Sequence, residues 1–335
     1  MAEARRVVDS EKVWASLITK TSYLPGLLTL HHSLASSGTA YPFVALYTDS
    51  LPQEGRTIIA ARGIPLQRVE YLKPGGAGRD YKADPRFEDT WCKLSVFSLT
   101  GYERVVLLDA DMLVRRNMDE LMELELDGER RVIAAGHVCS CNPLRKPHYP
   151  ADWVPENCPF TSRHADPDGA QTEGEDLSPR PLGLLNSGLL VVAPSAARYN
   201  EVLVRLATAD AGWVFPDQEL LADVFRGRWV PLPYVYNALK TLRWRGVHDG
   251  IWRDGEVRNV HYILSPKPWA DADGEGNGEE THRWWWAADR ERRAMEEARG
   301  IFDALSATQM RLDRPSLRGR RVRVGGDGRG FASCD

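Results

Sequence analysis

No apolar run in these 335 residues approaches the roughly 20 that a membrane-crossing helix needs. The opening stretch "MAEARRVVDSEK" lacks the apolar centre of a secretory leader. Cysteine is scarce: five residues, an odd number in a long chain, do not make the disulfide framework of a small secreted domain. A dominant charge sign is missing too. Lys and Arg number 43 against 47 Asp and Glu, a formal net charge of −4, and the pI of about 6.1 argues against nucleic acid as the main partner. There is no internal repeat, which removes solenoids. These absences lead us to expect a soluble, cytoplasmic chain without a transmembrane segment. What is present, 43% hydrophobic and 27% charged residues, suits an α/β protein with an ample core.

Strand and helix signals alternate. "VWASLIT" (13–19) reads as a buried strand, and Pro25 opens a helix in which Leu24, Leu27, Leu28, His31 and Leu34 keep helical spacing until Gly38. "FVALYT" (43–48) is a second strand, with a helix near 52–62 ending at Gly63, and "LQRVEYL" (66–72) a third. A further helix is predicted over 89–100, then the strand "RVVLL" (104–108), and Asn117 to Glu120 resembles a capping box that starts a short helix. "LLNSGLLVVAPS" (184–195) returns to strand, followed by helices near 195–209 and 217–226. Such alternation implies βαβ units: a Rossmann-like, mostly parallel central sheet with helices on both faces. We expect one domain over 10–270, in which 137–182, rich in Pro, Cys, His and charge, is a long functional loop. An acidic linker (271–282), a helix within 283–312 docked on the domain, and a basic, disordered tail (313–335) complete the expectation.

The strand "RVVLL" ends in "DAD". At i and i+2, the side chains of Asp109 and Asp111 leave an extended chain on the same side, at the carboxyl end of a strand, where ligands of parallel sheets gather. Two neighbouring carboxylates repel unless a cation intervenes. Mg²⁺ or Mn²⁺, with their preference for oxygen donors and for phosphates as co-ligands, would resolve that repulsion. The plainer reading, an acidic turn that solvates a loop, competes with it.

The neighbouring motifs weigh against the plainer reading. "LITKTSYLPG", "TWCKL" (90–94), "LLDADMLVRRNMDEL", "LNSGLLVVAPS", "PDQELL" (216–221), "LPYVYN" (232–237) and "VHYILSPKPW" (260–269) follow one another in order from about Val13 to Trp269. In them the chain resembles the family-8 retaining glycosyltransferases, the group that contains glycogenin and the plant galactinol synthases. The resemblance implies a GT-A fold, a UDP-hexose donor (glucose or galactose) and an α-linked product. It also implies Mn²⁺, with Mg²⁺ as the alternative, held by Asp109, Asp111 and His261. By itself His261 reads as an ordinary strand histidine between Val260 and Tyr262. The resemblance further implies that Lys267 contacts the diphosphate and that Leu17, Thr19 and Tyr23 contact the base and ribose. Lys93 and Ala110 would help bind the donor, Asn186, Ser187 and Gly188 would touch its sugar, and Asp217 and Gln218 would lie under the reacting carbon. "PDQ" is equally a helix start, and both readings can hold together.

The chain also departs from its relatives. Lys20 stands where the family often has Asn, and an expected upstream arginine is unplaced between Lys82 and Arg86. Trp244 occupies the spacing at which glycogenin carries its self-glucosylated tyrosine, so self-priming there is excluded. Cys139, Cys141 and Cys158 resemble the galactinol-synthase side of the family. With His137 and His148 they are a candidate soft-metal set, although C-x-C is not the usual zinc spacing and packing of an acceptor-side loop is the favoured reading. In "RWWW" (283–286), consecutive positions spread around a helix, so docking is favoured over a flat sugar platform. The implied acceptor is a small polyol, an oligosaccharide or a protein, and a homodimer is left open. Two rivals remain: a pyrophosphorylase, which would need a Gly-rich loop that "TKTSYLPG" lacks, and a non-catalytic nucleotide-sugar binder.

Overall fold

The computed structural model describes residues 6–75, 89–175, 183–209, 212–271 and 278–303. The first four strands are β1 (Lys12–Ile18), β2 (Phe43–Tyr47), β3 (Leu66–Arg68) and β4 (Arg104–Leu108). Their side chains alternate between two buried faces. Val13, Ala15, Val105 and Leu107 enter one core, while Trp14, Ile18, Val106 and Leu108 enter the other. Helices α1 (Leu24–Ser36) and α2 (Gln53–Ala60) cover the second face through Leu27, Leu28, Leu34, Ile58 and Ile59. Pro25 sits in the first turn of α1, and Gly38 takes the left-handed conformation just past its end (φ 75°).

After β4 come β5 (Met112–Val114), β6 (Ile133–His137), β7 (Leu185–Val192) and β8 (Trp229–Pro231). The central sheet has the order β3-β2-β1-β4-β7-β6-β8. It is mostly parallel, as expected, but β7 runs antiparallel to both β4 and β6. That reversal has a consequence for the site, because the start of β7 lies beside the end of β4. Between β6 and β7 the chain passes through α3 (Pro159–Ser162) and several single 3₁₀ turns. Helices α4 (Ala196–Ala207) and α5 (Pro216–Val224) cover the first face with Val202, Leu206, Leu220 and Leu221.

A second, small sheet joins β5 to β9 (Ala238–Leu239) and β10 (Asn259–His261), in the order β5-β10-β9. Its core, with Tyr234, Val260 and Tyr262, receives Trp285 and Trp286 of α6 (Glu280–Ala298). Trp284 packs at the edge of the same core, under the Arg115 guanidinium, 3.5 Å from its carbon to the ring centre. Among the described residues, no helix is long and apolar enough to cross a membrane.

Several boundaries differ from expectation. The segment predicted as an α-helix over 89–100 is a 3₁₀ run, Thr90–Ser98. The third strand stops at Arg68 rather than 72. The capping box at Asn117 does not form: Asn117 Oδ1 accepts from the Asp119 N–H at 2.8 Å, while Glu120 pairs with Arg258 and Tyr236, leaving only a 3₁₀ turn, Asp119–Met122. Helix α6 begins at Glu280, inside the stretch expected as linker. Lys82 and Arg86, half of that linker (272–277) and the basic tail (313–335) lie outside the described residues.

Candidate active site

From β1 the chain moves outward to β2, whereas β4 lies on the other side of β1. A crevice opens between the carboxyl ends of β1 and β4 at this switch point. Leu17, Thr19 and Tyr23 line it from β1 and the turn after it, Lys93 from the 3₁₀ run, and Asp109, Ala110 and Asp111 from the loop joining β4 to β5. Asn186 and Ser187 enter from the start of β7, Asp217 and Gln218 from the first turn of α5, and His261 and Lys267 from β10 and the loop after it. Gly188 is the exception. It lies behind the wall, donating its N–H to Asn186 Oδ1 (3.0 Å) and accepting from the Asp109 N–H through its carbonyl (2.7 Å).

Register explains how residues so distant in sequence meet. β10 pairs antiparallel with β5, His261 opposite Met112, and the Tyr262 N–H donates to the Asp111 carbonyl at 2.9 Å. That pairing sets the imidazole beside the acids: Nε2 is 3.4 Å from Asp111 and 3.7 Å from Asp109. The other ring nitrogen, Nδ1, meets Asn237 Oδ1 at 2.9 Å, and Asn237 in turn donates to Asn186 Oδ1 at 2.9 Å. A Cβ on Gly188 would fall 2.3 Å from His261 Cε1, so only glycine lets the imidazole approach. Gly26, at the start of α1, plays the same part on the other side, where a Cβ would meet the Ala110 carbonyl at 2.4 Å.

Two lysines compensate the acids. Lys93 Nζ is 2.8 Å from Asp109 and 3.5 Å from Asp217, and Lys267 Nζ binds both Asp111 and the Tyr262 carbonyl. Burial opposes the charge on Asp111, but Lys267 and then His261 outweigh it and hold this carboxyl well below its ordinary range. At Asp109 burial wins: despite Lys93, and with Asp111 adding repulsion, its carboxyl is pushed up. Burial also opposes the charge on Lys93, yet Asp109 and Asp217 hold its ammonium firmly protonated. Asp217, only 2% exposed, accepts the Ser187 hydroxyl at 2.5 Å, and Gln218 Oε1 accepts the Ser187 N–H at 3.3 Å.

One oxygen from each acid and Nε2 of His261 lie within 4.8 Å of one another. The donor set fits a divalent cation of the Mn²⁺ or Mg²⁺ type. Its oxygens are hard, its imidazole is tolerated by Mn²⁺, and Asn237 fixes the far side of the ring as outer partners of metal-bound histidines do.

Sequence reasoning missed three contributors. Asn237 lies in the "LPYVYN" motif, where nothing in the sequence assigns it a role. Asp89 accepts from Thr19 (3.2 Å), Lys20 (3.0 Å) and Tyr71 (2.6 Å), so Lys20, where the family often has Asn, is paired with a neighbouring acid. Burial works against its charge, but Tyr71 and Lys20 hold it below the usual carboxylate range. Third, Tyr149, Trp153 and Phe215 form an aromatic wall, Trp153 stacked on Phe215 at 4.6 Å. No periodicity in the loop announced it. His137 and His148 do not join the three cysteines: His137 lies edge-on against Trp229 and His148 against Tyr149.

Solved structures of similar shape include glycosyltransferases. An active-site mutant of LgtC matches with a TM-score of 0.55 at 16% identity, covering 86% of this chain and 99% of that one. The apo form of GlyE from Streptococcus pneumoniae TIGR4 matches at 0.54 and 15% identity, over 87% of this chain and 64% of that one. The architecture is thus of the GT-A class. A sequence profile described as "Glycosyl transferase family 8" matches residues 15–273, and the chain belongs to that family of glycosyltransferases. Among its relatives, galactinol synthase 1 of Solanum lycopersicum is 27% identical over 276 residues, 78% of this chain and 77% of that protein. Glycogenin of Neurospora crassa is 25% identical over 85% of this chain, which spans only 36% of that protein.

Proposed function

We propose that this chain is a metal-dependent, retaining hexosyltransferase that moves glucose or galactose from a UDP-sugar to a hydroxyl acceptor, leaving an α-linkage. The reading rests on the convergence of Asp109, Asp111 and His261 within 4.8 Å, beside Lys93 and Lys267, at the strand ends. A divalent cation bound there would supply Lewis-acid stabilisation of the negative charge that grows on the departing diphosphate.

The chain's own residues do the rest. Lys267 offers a point charge to the diphosphate when it leaves Asp111. Lys93 offsets the charge of Asp109 and holds Asp217 within 3.5 Å. Positive charge developing on the anomeric carbon is met by Asp217, whose orientation is set by the Ser187 hydroxyl, and by the amide of Gln218, set by the Ser187 N–H. Retention follows either from a covalent intermediate on Asp217 or from attack by the acceptor on the face the diphosphate leaves. Thr19, Tyr23 and Leu17 take the nucleoside end, and the Tyr149–Trp153–Phe215 wall offers aromatic faces to an acceptor.

The galactinol synthases among the relatives favour a narrower second reading, galactose transfer to myo-inositol or a related polyol. Thermal unfolding of the full chain with UDP, UDP-glucose and UDP-galactose, each with and without Mn²⁺, tests the donor half. Stabilisation that needs both nucleotide and metal is expected. No shift with any UDP compound, or a shift unchanged in Asp111→Asn, overturns it. Product analysis with myo-inositol then separates the two readings, and metal-dependent binding without transfer or donor hydrolysis would favour a non-catalytic binder.

A further inference from the structure

The loop after β6 carries three of the chain's five cysteines. The fold brings them to one point with a histidine that follows Cys158 by 90 residues. The Sγ atoms of Cys139, Cys141 and Cys158 and a ring nitrogen of His248 all lie within 4.8 Å of one another. His248 Nε2 is 3.1 Å from the Cys141 sulfur and 3.2 Å from that of Cys158, and the Cys158 and Cys139 sulfurs are 3.9 Å apart. Ligands at ordinary zinc bond lengths stand about 3.6–3.8 Å apart around a tetrahedron, and these three distances lie within about half an ångström of that spacing. Cys158 and His248 are almost wholly buried, and the Phe160 ring covers the imidazole. The far nitrogen, Nδ1, meets His164 Nε2 at 2.9 Å. With the proton on Nδ1, that contact leaves the Nε2 lone pair aimed at the sulfurs, the outer support that metal-bound histidines usually have.

We propose that Cys139, Cys141, Cys158 and His248 bind a zinc ion as a structural site, separate from the carboxylate site in the cleft. Sulfur-rich donors select a thiophilic cation over Mn²⁺ or Mg²⁺, and four protein ligands leave no position for water or substrate. Simple packing does not require four polar atoms to converge. A disulfide would use two sulfurs and needs them at about 2.05 Å, leaving Cys141 and His248 without a purpose. On binding, the thiol protons pass to solvent and the thiolates become the ligands. The ion would tie the loop after β6 to the segment following β9. Cys139 lines the cleft beside Asn142, Tyr149 and Trp153, so the same tie would hold the aromatic wall in place.

The test does not depend on sugar transfer. The full chain, reduced and free of any histidine tag, is analysed by elemental mass spectrometry after dialysis against a mild chelator. About one zinc per chain is expected. It should persist in Asp111→Asn and fall to background in Cys141→Ser and in His248→Ala. Should those variants not fold, cobalt exchange into the unaltered chain decides: intense thiolate-to-cobalt bands with tetrahedral visible transitions are expected. Zinc content unaffected by Cys141→Ser, a cobalt spectrum without thiolate bands, or a Cys139–Cys158 disulfide in the protein as isolated would each overturn the assignment.

Discussion

At Gly188 the site has no room for a side chain. A methyl there would press on His261 Cε1 and Nδ1, at 2.3 and 2.8 Å, and drive the ring from Asn237 and from both acids. Gly188→Ala should therefore weaken Mn²⁺ binding by about 10–100-fold, the usual cost of disturbing a metal ligand's support, as calorimetric titration would read. Unchanged affinity would mean that His261 is not a ligand. Asp217→Asn keeps shape and removes charge. Turnover should drop by about 10²–10³-fold with donor binding little changed, and near-full turnover would remove Asp217 from the chemistry. Legibility at this scale follows distance along the chain. Asp109 and Asp111 could be placed from physics alone, because their spacing and the strand before them fix where they point; only the neighbouring motifs set a metal role above an ordinary acidic turn. His261 could not. Between two apolar neighbours its role depends on a pairing register, and only the resemblance pointed to it. Asn237, whose role is to hold that ring, and Asp89, whose partners are spread from Thr19 to Tyr71, left no local signal.

Elements were legible where both strand faces or a full helical stripe are apolar, as in β1, β4, α1 and α4. They were misread where side chains override local preference. Thr90–Ser98 winds as 3₁₀, with Trp91, Leu94 and Phe97 buried in one core while Lys93 reaches the cleft. Glu120 serves Tyr236 and Arg258 instead of a cap. The antiparallel run of β7 could not be inferred from composition, because a strand buried on both faces reads the same in either direction. Helix α6 raises a question of energetics. Its Asp289, fully buried, accepts from Thr29 of α1 at 2.9 Å and from Arg292 at 2.6 Å. Arg292 and Arg62 share Glu296. Removing one partner of such a network leaves buried charge uncompensated, so Asp289→Ala should cost about 3–5 kcal/mol in urea unfolding. A loss below about 1 kcal/mol would show that apolar burial of Trp285 and Trp286, rather than the ion network, holds α6 in place.

For the molecule as a whole, the class was legible because alternating strands and helices constrain a sheet to few topologies, while the second sheet, built from strands of two or three residues, was too short to see. The same layering makes stability sensitive to acid. His31, on α1 against Phe43, has its pKa lowered from 6.5 to about 4 by burial, with His32 adding to the effect and Glu296 opposing it. Above 6.5 the imidazole is neutral in both states and its contribution is fully present. Between 6.5 and about 4 the unfolded chain takes up a proton that the folded chain refuses, so stability falls with falling pH. For one full proton the slope approaches about 1.4 kcal/mol per pH unit. His32, lowered in the same direction by burial, adds to it. His31→Leu should therefore show a shallower decline across this window than the unaltered chain, read as urea midpoints at successive pH values. Parallel declines in the two proteins would place the acid sensitivity of this window in another buried imidazole, such as His137, whose pKa burial also lowers to about 4; Asp89 and Glu296, held low by their partners, lose stability only as pH drops further.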